Sequence, residues 1–471
     1  MLPRYQRIAL SLRQAIIAGA LHPGDRLLSV RKLAEREQVS IPTAQEALRF
    51  LEAEGLIVAR PRSGYYVSLA PPVASSSAVP NAAPVSVDMS TLARTLFSRQ
   101  ESRLIPPGAA QPDPAWLPAA RLQRVLQSAS RRLEAYGQTY SMPPGRSDLR
   151  YQIARRAVQW GATFGPDELI VTAGATQAVR LALQAVCVAG DVVAIERPAW
   201  FGALLLLESM GLKALEITTD PQEGISLTAL NEAIIKYRPA AVLVSPSAQN
   251  PTGAVMPVAA KRELVAMLER HDVPLIEDDV YGDLAGDAVR PPACKAFDRS
   301  GSVLYCSSVS KALTPGWRTG WIAPGHYYEE VMKIRLASDW AGSPLTEAAV
   351  SDFMSRGDYD RHLLRLKSRI QKSVDIISRT VAAHFPEPTR VVIPQAGFLM
   401  WLELPKTINA LDVHRAALEA GIGVSPGQLF SPRQDMAHCL RLNCACEPTP
   451  QLLAAVIELG AICRHAENKN Q

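Results

Sequence analysis

The sequence predicts a multidomain chain: a small α+β head of about 70 residues, a tether, and a two-lobed α/β body of nearly 380. Three observations predict it. A chain of 471 residues is too long for one ordinary core. A proline- and serine-rich stretch from Ala70 to about Ser90 interrupts every period. Beyond it, short β-rich apolar runs alternate with helical patterns, the mark of a mostly parallel sheet covered by helices.

Composition narrows the class. The chain is 48% hydrophobic and 20% charged, an ordinary globular balance. No apolar run reaches the roughly 18–20 residues that span a bilayer, and the start has charges without an apolar signal core behind them. A cytoplasmic protein is expected. Its seven cysteines are scattered and odd in number, and Cys444-Ala-Cys446 is not a CxxC pair, so reduced thiols and no metal site are expected. Residues 1–70 carry ten Lys/Arg against six Asp/Glu, most of the whole chain's +5, which points the N-terminus toward a polyanion.

In the head, Ser29 reads as a helix N-cap, with Val30, Leu33 and Ala34 following at i, i+3, i+4 and Arg31 and Lys32 outward. Glu37-Gln-Val39 is a short turn. Ser40 then caps a second helix with the apolar stripe Ala44, Ala47, Leu48 and Leu51. Pro42 falls in its first turn, where a missing N–H costs nothing. Thr43, Gln45 and Arg49 lie off the stripe. Two short helices about a tight turn, the second polar near its start, form the geometry that lays a helix in the DNA major groove. Leu56–Ala59 and Tyr65–Val67, joined through Arg60-Pro-Arg62-Ser63-Gly64, read as a hairpin with two arginines at its tip. A helical bundle that docks a protein is the competing reading. The stretch Pro23–Val67 also resembles the GntR family of winged helix-turn-helix regulators. That resemblance implies double-stranded DNA as partner, with Arg31, Lys32, Ser40, Thr43, Gln45, Arg49, Arg60, Arg62, Ser63 and Gly64 as contacts. Ile41 and Pro42 stand where many members have Arg or Asn, so Arg31, Thr43, Gln45 and the wing are expected to carry more of the recognition.

The tether is assigned to 70–104. In the body the apolar runs are Leu169–Thr172, Val192–Ile195, Ala240–Ser245, Leu275–Ile276 and Val303–Ser307. A large lobe is expected over 105–345 and a small one over 346–471, where a long helical segment leads into Val391–Leu404 and a helical tail.

Several residues at strand ends carry chemistry in combination. Lys311 follows Ser307-Ser-Val-Ser310, and the end of a buried strand gives a lysine a fixed position and a depressed pKa. Asp278 and Tyr281 stand in Glu277-Asp278-Asp-Val-Tyr281, and Asn250 opens Asn250-Pro-Thr-Gly253. Ala173-Gly174-Ala175-Thr176 stands between a strand and a helix, where small residues let N–H groups approach a phosphate. Ser310 and Arg318 are placed to complete a phosphate cup. Trp200, in Glu196-Arg-Pro-Ala-Trp200, is either a stacking platform or core packing. Alone, each is ordinary: a surface lysine, an acidic loop, a turn. Together they match pyridoxal phosphate, with a Schiff-base lysine, a carboxylate at the ring nitrogen and donors at the phenolic oxygen.

Their order and spacing over residues 105–450 resemble the fold-type I aminotransferases, and the whole architecture resembles the MocR-type regulators. The resemblance implies an internal aldimine on Lys311, with Asp278 at the ring nitrogen and Asn250 and Tyr281 at the phenolic oxygen. It places Ala175, Thr176, Ser308, Ser310 and Arg318 at the phosphate. It also implies that Tyr140 reaches the phosphate across a homodimer interface and that Arg441 holds a substrate or effector carboxylate. A dimer implies an operator with paired half-sites. The leading expectation is a transcriptional regulator that binds pyridoxal phosphate and senses it or an amino compound. A working aminotransferase with an accessory head, and a regulator whose body binds no cofactor, stand as alternatives.

Overall fold

The computed structural model describes residues 4–17, 21, 24–53, 56–60, 63–67, 83–97, 105, 108–133, 140–285 and 290–470. The head holds helices α1 (Arg4–Ile17), α2 (Val30–Arg36) and α3 (Ile41–Ala53) and an antiparallel hairpin of β1 (Ile57–Arg60) and β2 (Gly64–Val67). Ser29 Oγ caps α2 by accepting from Lys32 N, and Gln38 turns the chain with a φ of 50°. Leu33, Ala34, Ala44, Ala47, Leu48 and Leu51 are buried in a core built from head residues, as their spacing requires. The first helix was not expected. Ile8, Ala9 and Leu12 bury against α3, and with Ile16 they form an i, i+4, i+8 stripe that was open to reading.

The segment assigned to the tether is partly structured. β3 (Val85–Ser86) and α4 (Ser90–Phe97) lie on the body, with Val87, Met89, Ala93 and Leu96 buried. These apolar side chains override the polar, proline-rich text around them, because a neighbouring edge strand and helix supply the burial that a tether lacks.

The body begins with α5 (Ala119–Arg132) and α6 (Ser147–Ala157). There follow β4 (Ile170–Thr172), α7 (Ala175–Val186), β5 (Val192–Arg197), α8 (Phe201–Ser209), β6 (Lys213–Asp220), β7 (Gly224–Ile225), α9 (Leu227–Tyr237), β8 (Ala241–Val244), α10 (Val258–His271), β9 (Leu275–Asp278), β10 (Val303–Ser308) and β11 (Gly320–Ala323). The main sheet runs β3-β6-β5-β8-β9-β10-β11-β4 among the described residues, with β7 paired to β6. Strands β6, β5, β8, β9 and β10 are parallel, and β11 runs against them. All five expected runs contain strands, and β6, β7 and β11 are additional. The strand β6 hides its pattern because Lys213, Glu216 and Asp220 interrupt its apolar residues.

Helices α11 (Tyr328–Asp339), α12 (Pro344–Ser355) and α13 (Asp358–His384) lead to a separate sheet. It is built from β12 (Arg390–Val392), β13 (Leu399–Glu403), β14 (Ser425–Pro426) and β15 (Cys439–Asn443) in the order β12-β13-β15-β14, with α14 (Ala410–Glu419) and α15 (Pro450–Asn470) beside it. All seven cysteines are buried free thiols. Among the described residues no helix is long and apolar enough to cross a membrane.

Candidate cofactor and DNA-binding sites

The C-terminal ends of the parallel strands converge, the usual place for a ligand on such a sheet. Asp278 ends β9, and its register partner Cys306 lies two residues before the end of β10, from which the chain runs on to Lys311. Asn250 follows β8, and Trp200 follows β5. From the second sheet β15 brings in Arg441, whose Nη1 donates to Asn250 Oδ1 at 3.2 Å. Lys311 Nζ lies 5.9 Å from the Tyr281 ring centre and donates to Ala110 O at 2.5 Å. Lys311, Asp278, Tyr281, Asn250 and Arg441 are thus neighbours in space although 191 residues separate Asn250 from Arg441.

The electrostatics suit an incoming polar ligand. Burial, with Arg441 and Arg318 adding and Asp278 opposing, pushes the Lys311 ammonium down to about 8. Burial and the adjacent Asp279 push Asp278 up to about 7. Burial lowers Arg441 to about 10. The other Arg441 partners are Gly108 O at 3.0 Å and Ser425 Oγ at 3.1 Å, so among the described residues this buried guanidinium is bonded to no carboxylate. Asp278 Oδ1, Tyr281 OH and Arg441 Nε are buried without hydrogen-bond partners. Three such atoms around one lysine amine call for a bound polar molecule.

A cradle for an anion lies beside them. Gly174 holds a φ of 93° at the N-terminus of α7, and a Cβ there would sit 2.3 Å from Arg318 Nη2. Only glycine allows this approach. Arg318, itself at φ 48°, donates to Ala173 O at 3.0 Å and Ser310 Oγ at 3.2 Å. Ala175 is buried and Thr176 exposed in the first turn of α7. Ser308 Oγ accepts from Ser310 N at 3.3 Å and shapes the loop. Trp200 is half-buried against Gly202, where an added Cβ would meet its ring. Tyr140 is 75% exposed, next to the backbone bridge between Ser141 and Gly342.

Some neighbours had no sequence signal. Gly108 and Ala110 supply carbonyls to Arg441 and Lys311 from a segment far away in the chain. Behind Asp278, Asp279 pairs with Arg290 and accepts from Tyr305 OH at 2.7 Å, while Arg290 also holds Asp283 at 2.6 Å. The split of the Asp278-Asp279 doublet between two sides appears only when the strand is placed. Among the described residues no cluster of His, Cys, Asp or Glu is arranged for a metal.

On the head, Arg31, Lys32, Ser40 and Arg49 are exposed, and Thr43 and Gln45 half-buried. Ser40 Oγ caps α3 through Thr43 N at 3.3 Å and pairs with Thr43 Oγ1 at 2.8 Å, so both hydroxyls serve the helix start. Ser63 Oγ pairs with Tyr66 OH at 2.6 Å, and Gly64 turns the hairpin with a φ of 109°. Arg62 and the side chain of Arg60 lie outside the described residues.

Comparisons with known proteins agree with this division. Residues 4–67 match the gntR family of bacterial regulatory proteins, and residues 108–459 match aminotransferase class I and II. YdcR of Escherichia coli, an uncharacterized HTH-type transcriptional regulator, is 36% identical over 98% of both chains. The chain belongs to the helix-turn-helix transcriptional regulators that carry an aminotransferase class I and II domain. A second such regulator from the same organism, YjiR, is 35% identical over 97% of this chain and 98% of its own. In fold, the body is similar to a multiple substrate aminotransferase from Thermococcus profundus, with a TM-score of 0.74 and 22% identity over 80% of this chain and 95% of the other. LysN, the α-aminoadipate aminotransferase of Thermus thermophilus, gives 0.74 and 24% over 79% and 95%. These regulators of MocR type thus carry a fold-type I body, and the cofactor of that body is pyridoxal phosphate. The unpartnered Asp278, Tyr281 and Arg441 atoms and the Gly174 cradle fit that group.

Proposed function

We propose that this regulator senses an amino compound with a carboxylate, and that the cofactor-loaded body transmits its presence to paired heads on DNA. Pyridoxal phosphate, when bound, supplies an aldehyde that captures amines and a ring that withdraws electrons. Lys311 is its attachment point, and the lowered pKa keeps a usable share of that amine neutral near pH 8. Asp278 would serve the ring nitrogen, and Tyr281 and the Asn250 amide the phenolic oxygen. Ala175, Thr176, Ser308, Ser310 and Arg318 would hold the phosphate, with Tyr140 of a second copy completing it. Trp200 would stack on the ring.

Arg441 carries the reading of the ligand. A buried guanidinium bonded to a carbonyl, a hydroxyl and an amide oxygen holds an uncompensated charge, and a carboxylate satisfies it with two parallel hydrogen bonds. The head supports regulation over turnover, because transamination has no use for Arg31, Lys32 and Arg49 on an exposed face. Homodimerisation in the cytoplasm, an operator of paired half-sites and contacts from those residues together with Ser40, Thr43, Arg60, Arg62, Ser63 and Gly64 complete the proposal.

Borohydride reduction followed by mass measurement tests the foundation. The unmutated chain gains the mass of one reduced cofactor, and Lys311→Ala gains none. Footprinting on the DNA upstream of its gene then gives two protected half-sites whose occupancy changes with cofactor and amino compound. An unmutated chain that gains no mass, or promoter DNA left unprotected under every condition, overturns the reading.

A further inference from the structure

The entry of the tether into the body is gripped from two sides. On one side β3 adds to the edge of the main sheet, with Val85 opposite Ala214 and Ser86 opposite Lys213. Glu208 at the end of α8 accepts from both Met89 N and Ser90 N at 2.8 Å, and Val87, Met89, Ala93 and Leu96 are buried beside α7 and α8. That side is fixed to the main sheet. On the other side Arg433 Nη2 donates to Ala83 O at 2.7 Å and Gln434 Nε2 to Asp88 O at 3.5 Å. These two residues belong to the turn between β14 and β15, in the second sheet.

The same turn frames the carboxylate site. Phe430, just before it, lies under the Arg441 guanidinium at 5.0 Å, and Arg441 itself stands three residues after its last residue, His438. Within the turn Ser431 Oγ pairs with Asp435 Oδ1 at 3.0 Å and accepts from Arg433 N at 3.2 Å, so it moves as a unit. Salt bridges tie it back to the main sheet: Arg197 to Asp435 at 2.8 Å, and Arg433 to Glu216 on β6 at 3.5 Å. An anion that draws Arg441 therefore bears on both flanks of the turn, against the hold that Arg197 and Glu216 keep on it from the main sheet.

We propose that Arg433 and Gln434 are positioning residues that couple the carboxylate site at Arg441 to the tether of the DNA-binding head. The coupling rests on the reading of Arg441 given above. Any change in the placing of the second sheet against the first alters the pull on Ala83 and Asp88, where the tether enters the body. A ligand exerts this effect only as far as it favours one placing over the other.

The test uses the full-length, cofactor-loaded protein and two probes. Aminooxyacetate captures the cofactor aldehyde and carries a carboxylate; methoxyamine captures the aldehyde and carries none. In the unmutated chain, aminooxyacetate changes amide hydrogen exchange over residues 85–90 by about threefold or more, and methoxyamine leaves it near the unliganded rate. Arg433→Ala captures both probes with the same absorbance change yet loses most of the exchange response, and Arg433→Lys, which keeps a donor, restores part of it. Two results overturn the coupling: an Arg433→Ala response equal to the unmutated one, or two probes captured normally with identical exchange. Absence of any cofactor absorbance in the unmutated chain sinks the cofactor reading itself, and the coupling with it.

Discussion

At the scale of single residues, burial makes ordinary side chains reactive. Lys311 has its ammonium pushed down to about 8 because the surroundings are dry and because Arg441 and Arg318 repel its proton, against the pull of Asp278. The neutral form attacks the aldehyde, so cofactor capture should quicken about tenfold per pH unit below pH 8 and level off above it. Removing a nearby positive charge raises the lysine pKa. Arg441→Gln should therefore move the plateau to higher pH, measured as the rate at which the cofactor absorbance grows after mixing. An unchanged plateau would show that Arg441 does not act on this amine. Asp278 shows the opposite case. Burial and Asp279 favour its protonated form up to about pH 7, and on the proposed reading a protonated ring nitrogen would be the partner that restores its charge.

At the scale of elements, a stripe of side chains fixes each helix and a strand end positions each reactive group. The α3 helix shows the first rule. Its Ala44, Ala47, Leu48 and Leu51 are wholly buried, and the core that they join is built from head residues. Leu48→Ala should cost the head about 2–5 kcal/mol. In a denaturant titration the helical signal of the head should be lost earlier, while the transition followed by cofactor absorbance stays in place. Joint movement of the two transitions would mean that head and body unfold as one unit. The second rule places Asp278 and Lys311 at the ends of adjacent parallel strands, where side chains face a ligand and not another sheet residue.

At the scale of the whole molecule, charge and connection matter together. The positive surplus lies in the first 70 residues, on a head whose exposed face carries Arg31, Lys32 and Arg49. Binding to duplex DNA should weaken steeply with salt. Arg31→Ala and Lys32→Ala should each lower the slope of log affinity against log salt by about 1 per head, read by fluorescence anisotropy over a salt series. A slope that neither change alters would place the DNA contact elsewhere. The rest of the chain is nearly balanced in charge, and it is joined to the head through the segment that β3 and α4 anchor.

Legible in the amino-acid order alone were the division into head and body, the helix-turn-helix with its hairpin, the alternating strands and the motifs that hold Lys311, Asp278 and Gly174. These depend on local rules, such as a capping serine, an apolar period or a residue at the end of an apolar run, that neighbours in the chain decide among themselves. The three-dimensional fold was needed to show that Gly108 and Ala110 face Arg441 and Lys311, that Arg290 answers Asp279, and that residues 83–97 of the supposed tether dock on the body. In each of these, a buried polar group or an open sheet edge had to find a partner, and in a folded chain that partner can come from hundreds of residues away.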